Sequence, residues 1–322
     1  MNNLISFGLP TYNRAHLIEE TLDYYYNVLH LGEYELHVSD NCSTDNTVEI
    51  IKKWQENHPN LKLTIQKENI GADGNMHFLQ NANEAEYFML LGDGVRFNKK
   101  ELEEIINVVK SRKYDIVCFN YFNRSKTPTK EYRDKDLMLA EIGWYIAQMS
   151  SFIVKKEINV FTKDWPKLYK GTEFNYFTRM WFYLANHEFI AYWMNIDAMH
   201  FSLIPKKNSW QNRTPQVWIG DYVSSVMSLP ANYALSAKKA SLKESSKYYF
   251  FSLSNIAALI YNGFFTKKQM KSLRVNMSFI LPSNYYFYIF LGSLPKGILK
   301  LLIFSVNLPK RVWNKIRNIL KF

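Results

Sequence analysis

Four short polar turns stand out in this chain of 322 residues, because each assembles groups suited to holding a polar ligand. Leu9-Pro10-Thr11-Tyr12-Asn13-Arg14 follows an apolar run and exposes a hydroxyl, an aromatic ring and an amide together. Ser39-Asp40-Asn41-Cys42-Ser43-Thr44-Asp45 centres on Asp40, whose carboxylate is acceptor-only when ionised and so matches a ligand N–H. Asn69-Ile70-Gly71-Ala72-Asp73-Gly74-Asn75 carries two glycines, which let backbone and ligand approach closely. Gly92-Asp93-Gly94-Val95-Arg96 sets one carboxylate beside one cation, although Asp93 also reads as a turn cap. Asp45 taken alone reads more naturally as a helix cap than as a ligand. Further along, Glu173 could act as a general base or simply complement the dipole of the helix it opens. Asp164 and His187 are secondary base candidates, and Lys206 and Lys207 offer two more cations.

The elements that must position these turns alternate. Leu4–Leu9 is a short apolar run ended by Pro10; Leu17, Ile18, Thr21, Leu22 and Tyr25 then recur at helical spacing. Tyr34, Leu36 and Val38 alternate as a second strand. Asn46 and Glu49 have the spacing of a capping box for a helix through Trp54. Leu61, Leu63 and Ile65 form a third strand, Tyr87–Leu91 a fourth and Tyr114–Phe119 a fifth; Asn98 caps the intervening helix. Phe174–Trp193 reads as one aromatic-rich helix. Strands spaced by helices require right-handed crossovers and a mostly parallel sheet, an α/β class. All four turns then follow carboxyl ends of strands, the edge where open α/β sheets bind ligands. From about Gln211 the pattern is mainly helical, so the expected division is 1–210 and 211–322, with the change near Asn208 to Pro215.

Composition narrows the class. Hydrophobic residues make up 47% of the chain, enough for a packed core. Cys42 and Cys118 have no metal-ligand spacing and make a disulfide framework improbable, and the N-terminal stretch lacks a basic leader with a long apolar run; both point to the cytoplasm. The formal charge is +11, yet all twelve charged residues after Glu244 are Lys or Arg, so the preceding part is close to neutral. Pro309–Phe322 is amphipathic: Val312, Trp313, Ile316, Ile319 and Leu320 share one face, with Lys310, Arg311, Lys315, Arg317 and Lys321 largely elsewhere. That pattern suits a helix lying on an anionic membrane, or an ordinary helix packed on the core. Nucleic acid is not expected, since no recognised binding motif accompanies the charge.

The order of the four turns resembles glycosyltransferase family 2 of the GT-A fold. Over about Leu4 to Trp210 the chain looks like the polysaccharide-cluster, abequosyltransferase-like members, which share a segment similar to Pro205-Lys206-Lys207-Asn208-Ser209-Trp210. The resemblance implies a GT-A domain, Rossmann-like with a mostly parallel central sheet; the charge and pattern beyond it give the expectation of a helical, basic, membrane-associating region. It implies a nucleotide-sugar donor held by Pro10, Thr11, Tyr12, Asn13, Arg14, Asp40, Asn41, Asn69, Gly71, Asn75, Gly92, Asp93, Arg96, Lys206 and Lys207, with catalysis by Glu173 and Asp93. The family's metal motif is an Asp-x-Asp gripping Mg²⁺ or Mn²⁺ on the donor diphosphate. Here Asp93 takes the first position and Val95 the last, so any divalent cation has one protein carboxylate. Asn41 and Cys42 replace the second acid and glycine usual after Asp40.

These features lead to the expectation of an inverting glycosyltransferase of surface polysaccharide assembly, capsule or O-antigen. The acceptor would be a glycan or polyprenyl-linked glycolipid, and the enzyme peripheral on the inner face of the cell membrane. The alternative is an inactive membrane-associated nucleotide-sugar-binding or scaffold protein. A sugar-phosphate nucleotidyltransferase is disfavoured because no Gly-rich, Arg/Lys-bearing triphosphate loop lies near the N-terminus. A dinucleotide oxidoreductase is disfavoured because Gly-x-Gly-x-x-Gly is missing after the first strand.

Overall fold

The computed structural model describes residues 4–28, 34–121, 124–164, 172–201, 211–247 and 251–307. Lys206, Lys207 and the amphipathic stretch 309–322 lie outside them.

In chain order the elements begin with β1 (Ile5–Thr11), α1 (Ala15–Asp23), β2 (Glu35–Asp40), α2 (Thr47–Asn57), β3 (Leu61–Ile65), α3 (Gly71–Ala82) and β4 (Tyr87–Leu90). They continue with β5 (Val95–Phe97), α4 (Lys99–Lys110), β6 (Ile116–Phe119), β7 (Lys130–Tyr132), α5 (Lys135–Ile142), β8 (Phe152–Lys155), α6 (Lys156–Phe161), α7 (Asn175–Asn186), β9 (Ala191–Met194) and β10 (Met199–Phe201). The remaining helices are α8 (Tyr222–Met227), α9 (Leu235–Ser246), α10 (Leu253–Tyr261), α11 (Lys267–Ser272), α12 (Arg274–Ile280), α13 (Tyr285–Leu291) and α14 (Lys296–Asn307).

β4 and β6 are buried at every position, as strands covered on both faces must be. The helices bury one stripe each: Leu102, Ile105, Ile106 and Val109 of α4, and Leu17, Ile18, Thr21 and Leu22 of α1, follow the 3.6-residue period. The chain divides into two compact units, Met1–Lys207 with Ser228–Ser241, and Asn208–Met227 with Leu242–Phe322. The return segment is fastened inside the first unit, where Tyr233 Oη donates to Trp181 O at 2.6 Å and Ala234 N to Asp136 Oδ1 at 2.8 Å.

The first unit holds an eight-stranded sheet in the order β3-β2-β1-β4-β8-β6-β9-β7. β1 to β4 run parallel, and β6 pairs parallel with β9. β8 enters antiparallel between β4 and β6, and β7 lies antiparallel at the edge. A separate ribbon pairs β5 with β10, Phe201 opposite Val95. The mostly parallel α/β sheet agrees with the sequence reading; the inserted antiparallel β8, at the end of an apolar stretch, is not among the strands expected from the sequence.

Three local expectations are corrected. The aromatic-rich helix stops at Asn186, and Tyr192 and Trp193 belong to β9, where pairing with β6 outweighs helical continuation. The Asn46/Glu49 capping box does not form; Asp45 reaches instead to the backbone N–H groups of Ala15 and Thr47. Asn98 occupies the N-cap position of α4, but its side-chain amide donates to Asp197 O at 2.6 Å.

Candidate active site

The carboxyl ends of β1 and β2 are stitched together by side chains from both following turns. Asn13 adopts φ 51°, Ser43 Oγ accepts from its N–H at 2.8 Å, and Asn13 Oδ1 accepts from Thr44 N at 2.9 Å. Arg14 N donates to Thr47 Oγ1 at 2.8 Å and Ala15 N to Asp45 Oδ2 at 3.1 Å, so the start of α1 is capped by the β2 turn. Asp45 feels opposing influences: burial raises its carboxyl, but the bonds from Thr47, Ala15 and its own turn prevail and hold it below the usual range.

Asp40 is fully buried at the end of β2, its two oxygens accepting from Ser43 N at 2.8 Å and Ser43 Oγ at 2.5 Å. Each oxygen keeps a further lone pair. Closing that turn puts Cys42 at φ 64°, the left-handed region in which glycine is at ease. Asn41 uses what a carboxylate lacks: its amide donates to Asn69 Oδ1 at 3.0 Å while its oxygen accepts from Ile70 N at 2.9 Å. The third turn is thereby tied to the second. Asn69 Oδ1 also accepts from the N–H of Gly71, which sits at φ 77°. Asn75 points inward, its Oδ1 and Nδ2 bonding Ser39 Oγ at 2.5 Å and Ser39 O at 2.8 Å. Its role in the geometry is to hold the end of β2.

The Asp93 turn is clamped from several sides. Gly92 N donates to Ser150 Oγ at 2.9 Å, Tyr25 Oη donates to Gly92 O at 3.1 Å, and Thr21 Oγ1 donates to Asp93 O at 2.8 Å. The Asp93 side chain takes an ion pair from Arg14 Nε at 2.5 Å. Arg96 goes the other way: it is buried, pairs with Glu20, and donates to Asp93 O at 3.0 Å and Val95 O at 2.9 Å. Its charge is therefore consumed in supporting the turn, and Arg14 is the guanidinium at the strand ends. Val95 is buried in β5. Among the described residues no group of three or more His, Cys, Asp and Glu could hold a metal ion. The described residues thus do not form a protein cage for a divalent cation, and Asp93 is the one carboxylate of the motif.

Tyr12 is 40% exposed and presents its ring to solvent, whereas Thr11 Oγ1 is buried with no hydrogen-bond partner among the described residues. An unsatisfied buried hydroxyl costs about 1–3 kcal/mol, which a ligand acceptor beside it would recover.

Glu173 lies just before α7, near Tyr176. Burial, then Tyr121 and the Asp73 and Glu173 carboxylates, hold the Tyr176 phenol well above its ordinary range. Asp73, in the first turn of α3, and Glu173, just before α7, thus both act on this one buried phenol. The sequence had signalled Asp73 only by its place inside the glycine loop, and Tyr176 not at all. His187 is at the opposite end of α7, stacked on Tyr183 at 4.2 Å, about 18 Å along a twelve-residue helix. Asp164 acts on His77 instead.

α7 is anchored by Arg179, which is buried and spends five donors on neutral acceptors. Nε donates to Thr162 Oγ1 at 2.9 Å, Nη1 meets His77 Nδ1 at 2.8 Å and Gln80 Oε1 at 3.0 Å, and Nη2 donates to Asn81 Oδ1 at 2.9 Å and Asn159 O at 3.0 Å. Desolvation lowers the Arg179 guanidinium to about 9, and burial followed by the Arg179 charge lowers His77 to about 4. Neutral His77 is what lets its ring nitrogen accept from Arg179.

The family model for glycosyl transferase family 2 matches residues 6–186, more than half of the chain, and the chain belongs to that family. Abequosyltransferase RfbV of Salmonella typhimurium is 29% identical over 178 residues, 48% of this chain and 53% of that protein. The uncharacterized glycosyltransferase MG060 of Mycoplasma genitalium is 30% identical over 122 residues, 37% of this chain and 41% of that protein. The chain spans about half the length of the curated relatives it matches. Among solved structures, the mannosyltransferase PcManGT from Pyrobaculum calidifontis, in complex with GDP-Man and Mn2+, aligns with a TM-score of 0.58 at 17% identity over 99% of this chain and 85% of that one. S. aureus TarS 1-349 in complex with UDP-GlcNAc aligns at 0.57 and 14% identity over 95% and 91%. The fold is accordingly of the GT-A type, an α/β sheet with a helical C-terminal region.

Proposed function

We propose that this chain transfers a sugar from a nucleoside-diphosphate donor to a hydroxyl of a glycan or lipid-linked glycan, with inversion, in the assembly of a surface polysaccharide such as capsule or O-antigen. The observation that carries the reading is the interlock of four turns at one sheet edge: Asn13 with Ser43, Asn41 with Asn69, and Arg14 with Asp93. Family membership supports it, as do the sugar transfer named for RfbV and the nucleotide sugars bound by PcManGT and TarS.

In this reading Thr11, Tyr12 and Asp40 hold the nucleoside, and Asp93 and Arg14 face the diphosphate. Glu173 accepts the proton of the acceptor hydroxyl. The freed oxygen bonds to the anomeric carbon from the face opposite the diphosphate, and the bond to the diphosphate breaks. The departing group takes its electron pair toward Arg14, where a fixed cation stabilises developing charge. A divalent cation carried by the donor would meet Asp93 and otherwise rest on phosphates and water. The basic C-terminal segment would hold the enzyme at the inner membrane face, beside a lipid-linked acceptor.

The test is a thermal-shift screen across UDP, GDP, CDP and dTDP sugars, followed by assay of nucleoside diphosphate release. One donor should stabilise the protein by about 2.7 kcal/mol at a hundredfold excess over Kd and should be turned over. Stabilisation by none of them would refute the reading. Binding without turnover would favour a nucleotide-sugar-binding scaffold.

A further inference from the structure

The second unit carries a surface that donor chemistry does not use. In α13, Tyr286 and Phe290 stand four residues apart on one face, 68% and 62% exposed, while Tyr288 and Leu291 are buried on the other. In α14, Ile298 and Leu301 are exposed three residues apart, and Leu299 is buried. Large apolar side chains displayed in this way mark an interaction surface. The two helices meet at a bend of 112°. α13 has seven residues, so it is about 10 Å long against an apolar bilayer core of about 30 Å, and it cannot cross one.

Charge identifies the occupant. Lys267, Lys268, Lys271, Arg274, Lys296 and Lys300 are all exposed, and the sequence from Ser245 onward contains no Asp or Glu. Cations also sit over aromatic faces: Arg274 lies 5.2 Å from the Tyr285 ring and 5.8 Å from that of Tyr286, and Lys296 lies 5.8 Å from Tyr261. Tyrosine beside Lys or Arg is the pairing that occupies the headgroup layer, with stems on apolar surface and charges in water. A nucleic acid would engage the cations but leave Ile298 and Leu301 in water. We infer that the α13–α14 bend is a shallow insertion element that docks this chain on an anionic bilayer leaflet, independently of residues 309–322. The inference adds a second contact to the membrane location proposed above and does not depend on the transfer chemistry.

The test uses the full chain and sucrose-loaded phosphatidylcholine vesicles, with and without phosphatidylglycerol. Y286S/F290S/L301S alters only exposed positions and should keep its unfolding midpoint while losing vesicle binding at least about tenfold, since three apolar insertions are removed. K296E/K300E should lose the response to phosphatidylglycerol. The tail variant K310E/R311E/K315E/R317E should keep a residual binding that Y286S/F290S/L301S abolishes. In Y286W, brominated lipid should quench the new indole. Unchanged sedimentation of the triple variant, an unquenched Y286W, or binding that passes to an RNA oligonucleotide and away from vesicles would each overturn the inference. Donor-induced thermal shifts on the same samples report on the transfer reading separately.

Discussion

Arg14 Nε and Asp93 Oδ2 lie 2.5 Å apart, joining the turn after β1 to the turn after β4 across 79 residues of sequence. Both side chains keep some solvent access, so the pair is a reversible charge contact at the mouth of the strand ends, worth about 0–1 kcal/mol in stability. Its value lies in aiming both groups. D93N should therefore lower transfer by about 10²-fold or more while the urea midpoint stays almost unchanged. R14M should act similarly through the departing diphosphate. Steady-state kinetics with the donor found by the thermal-shift screen checks both; a fully active D93N would remove Asp93 from the mechanism.

Metal dependence should be partial. One carboxylate already engaged by a guanidinium grips a divalent cation weakly, and a donor-bound ion would rest mainly on phosphates and water. Excess chelator should reduce activity without abolishing it. Complete loss restored by Mn²⁺ would exclude a purely cationic mechanism, and full retention would exclude an obligatory metal.

E173Q removes the proton-accepting carboxylate at nearly constant side-chain size. A general base contributes about 10²–10⁴-fold, so kcat should fall by that factor while the donor thermal shift persists. Retained kcat would assign Glu173 to the dipole of α7 alone.

Cys42 occupies a left-handed conformation at φ 64° in the turn closed by Asp40 and Ser43. A left-handed non-glycine residue costs roughly 1–2 kcal/mol, offset in part by the greater unfolded freedom of glycine. C42G should thus stabilise the chain by about 0.5–1 kcal/mol, read as a higher urea midpoint with the same slope. C42V, β-branched, should destabilise it.

Stability should also fall with acid through His77. Its folded pKa of about 4 lies below the ordinary 6.5 because burial and the Arg179 charge disfavour the cation, with Asp164 and a backbone bond opposing them. Between those values the unfolded chain binds a proton that the folded chain refuses. Stability from this group is thus intact above about pH 6.5, declines toward pH 4, and levels off below. His77 is only half-buried, so the loss is discounted to about 1–2 kcal/mol. Urea unfolding at pH 7.5 and pH 5 should show it, and H77Q, still able to accept from Arg179, should flatten it. R179M would strand five acceptors and should cost about 3 kcal/mol or more.

Local pattern determined much of this protein. Apolar runs ended by Pro10, Asp40 and Gly92 are properties of adjacent residues, so the first strands and the mostly parallel class could be read before any contact was known, whereas the antiparallel β8 within the sheet could not. The order of four turns also carried the family. What needed the tertiary structure was the fate of charges. Arg14 and Arg96 are the same residue type beside equally promising turns, yet Glu20 draws Arg96 into the fold and leaves Arg14 to Asp93. Glu173 and His187 were separated by the length of α7, and α3, which carries Asp73, packs on α7. Secondary structure follows from periods of two and 3.6 residues, which neighbours along the chain express. Ion pairing and burial depend on which distant groups the crossovers place within a few ångströms, and no spacing in the chain encodes that directly.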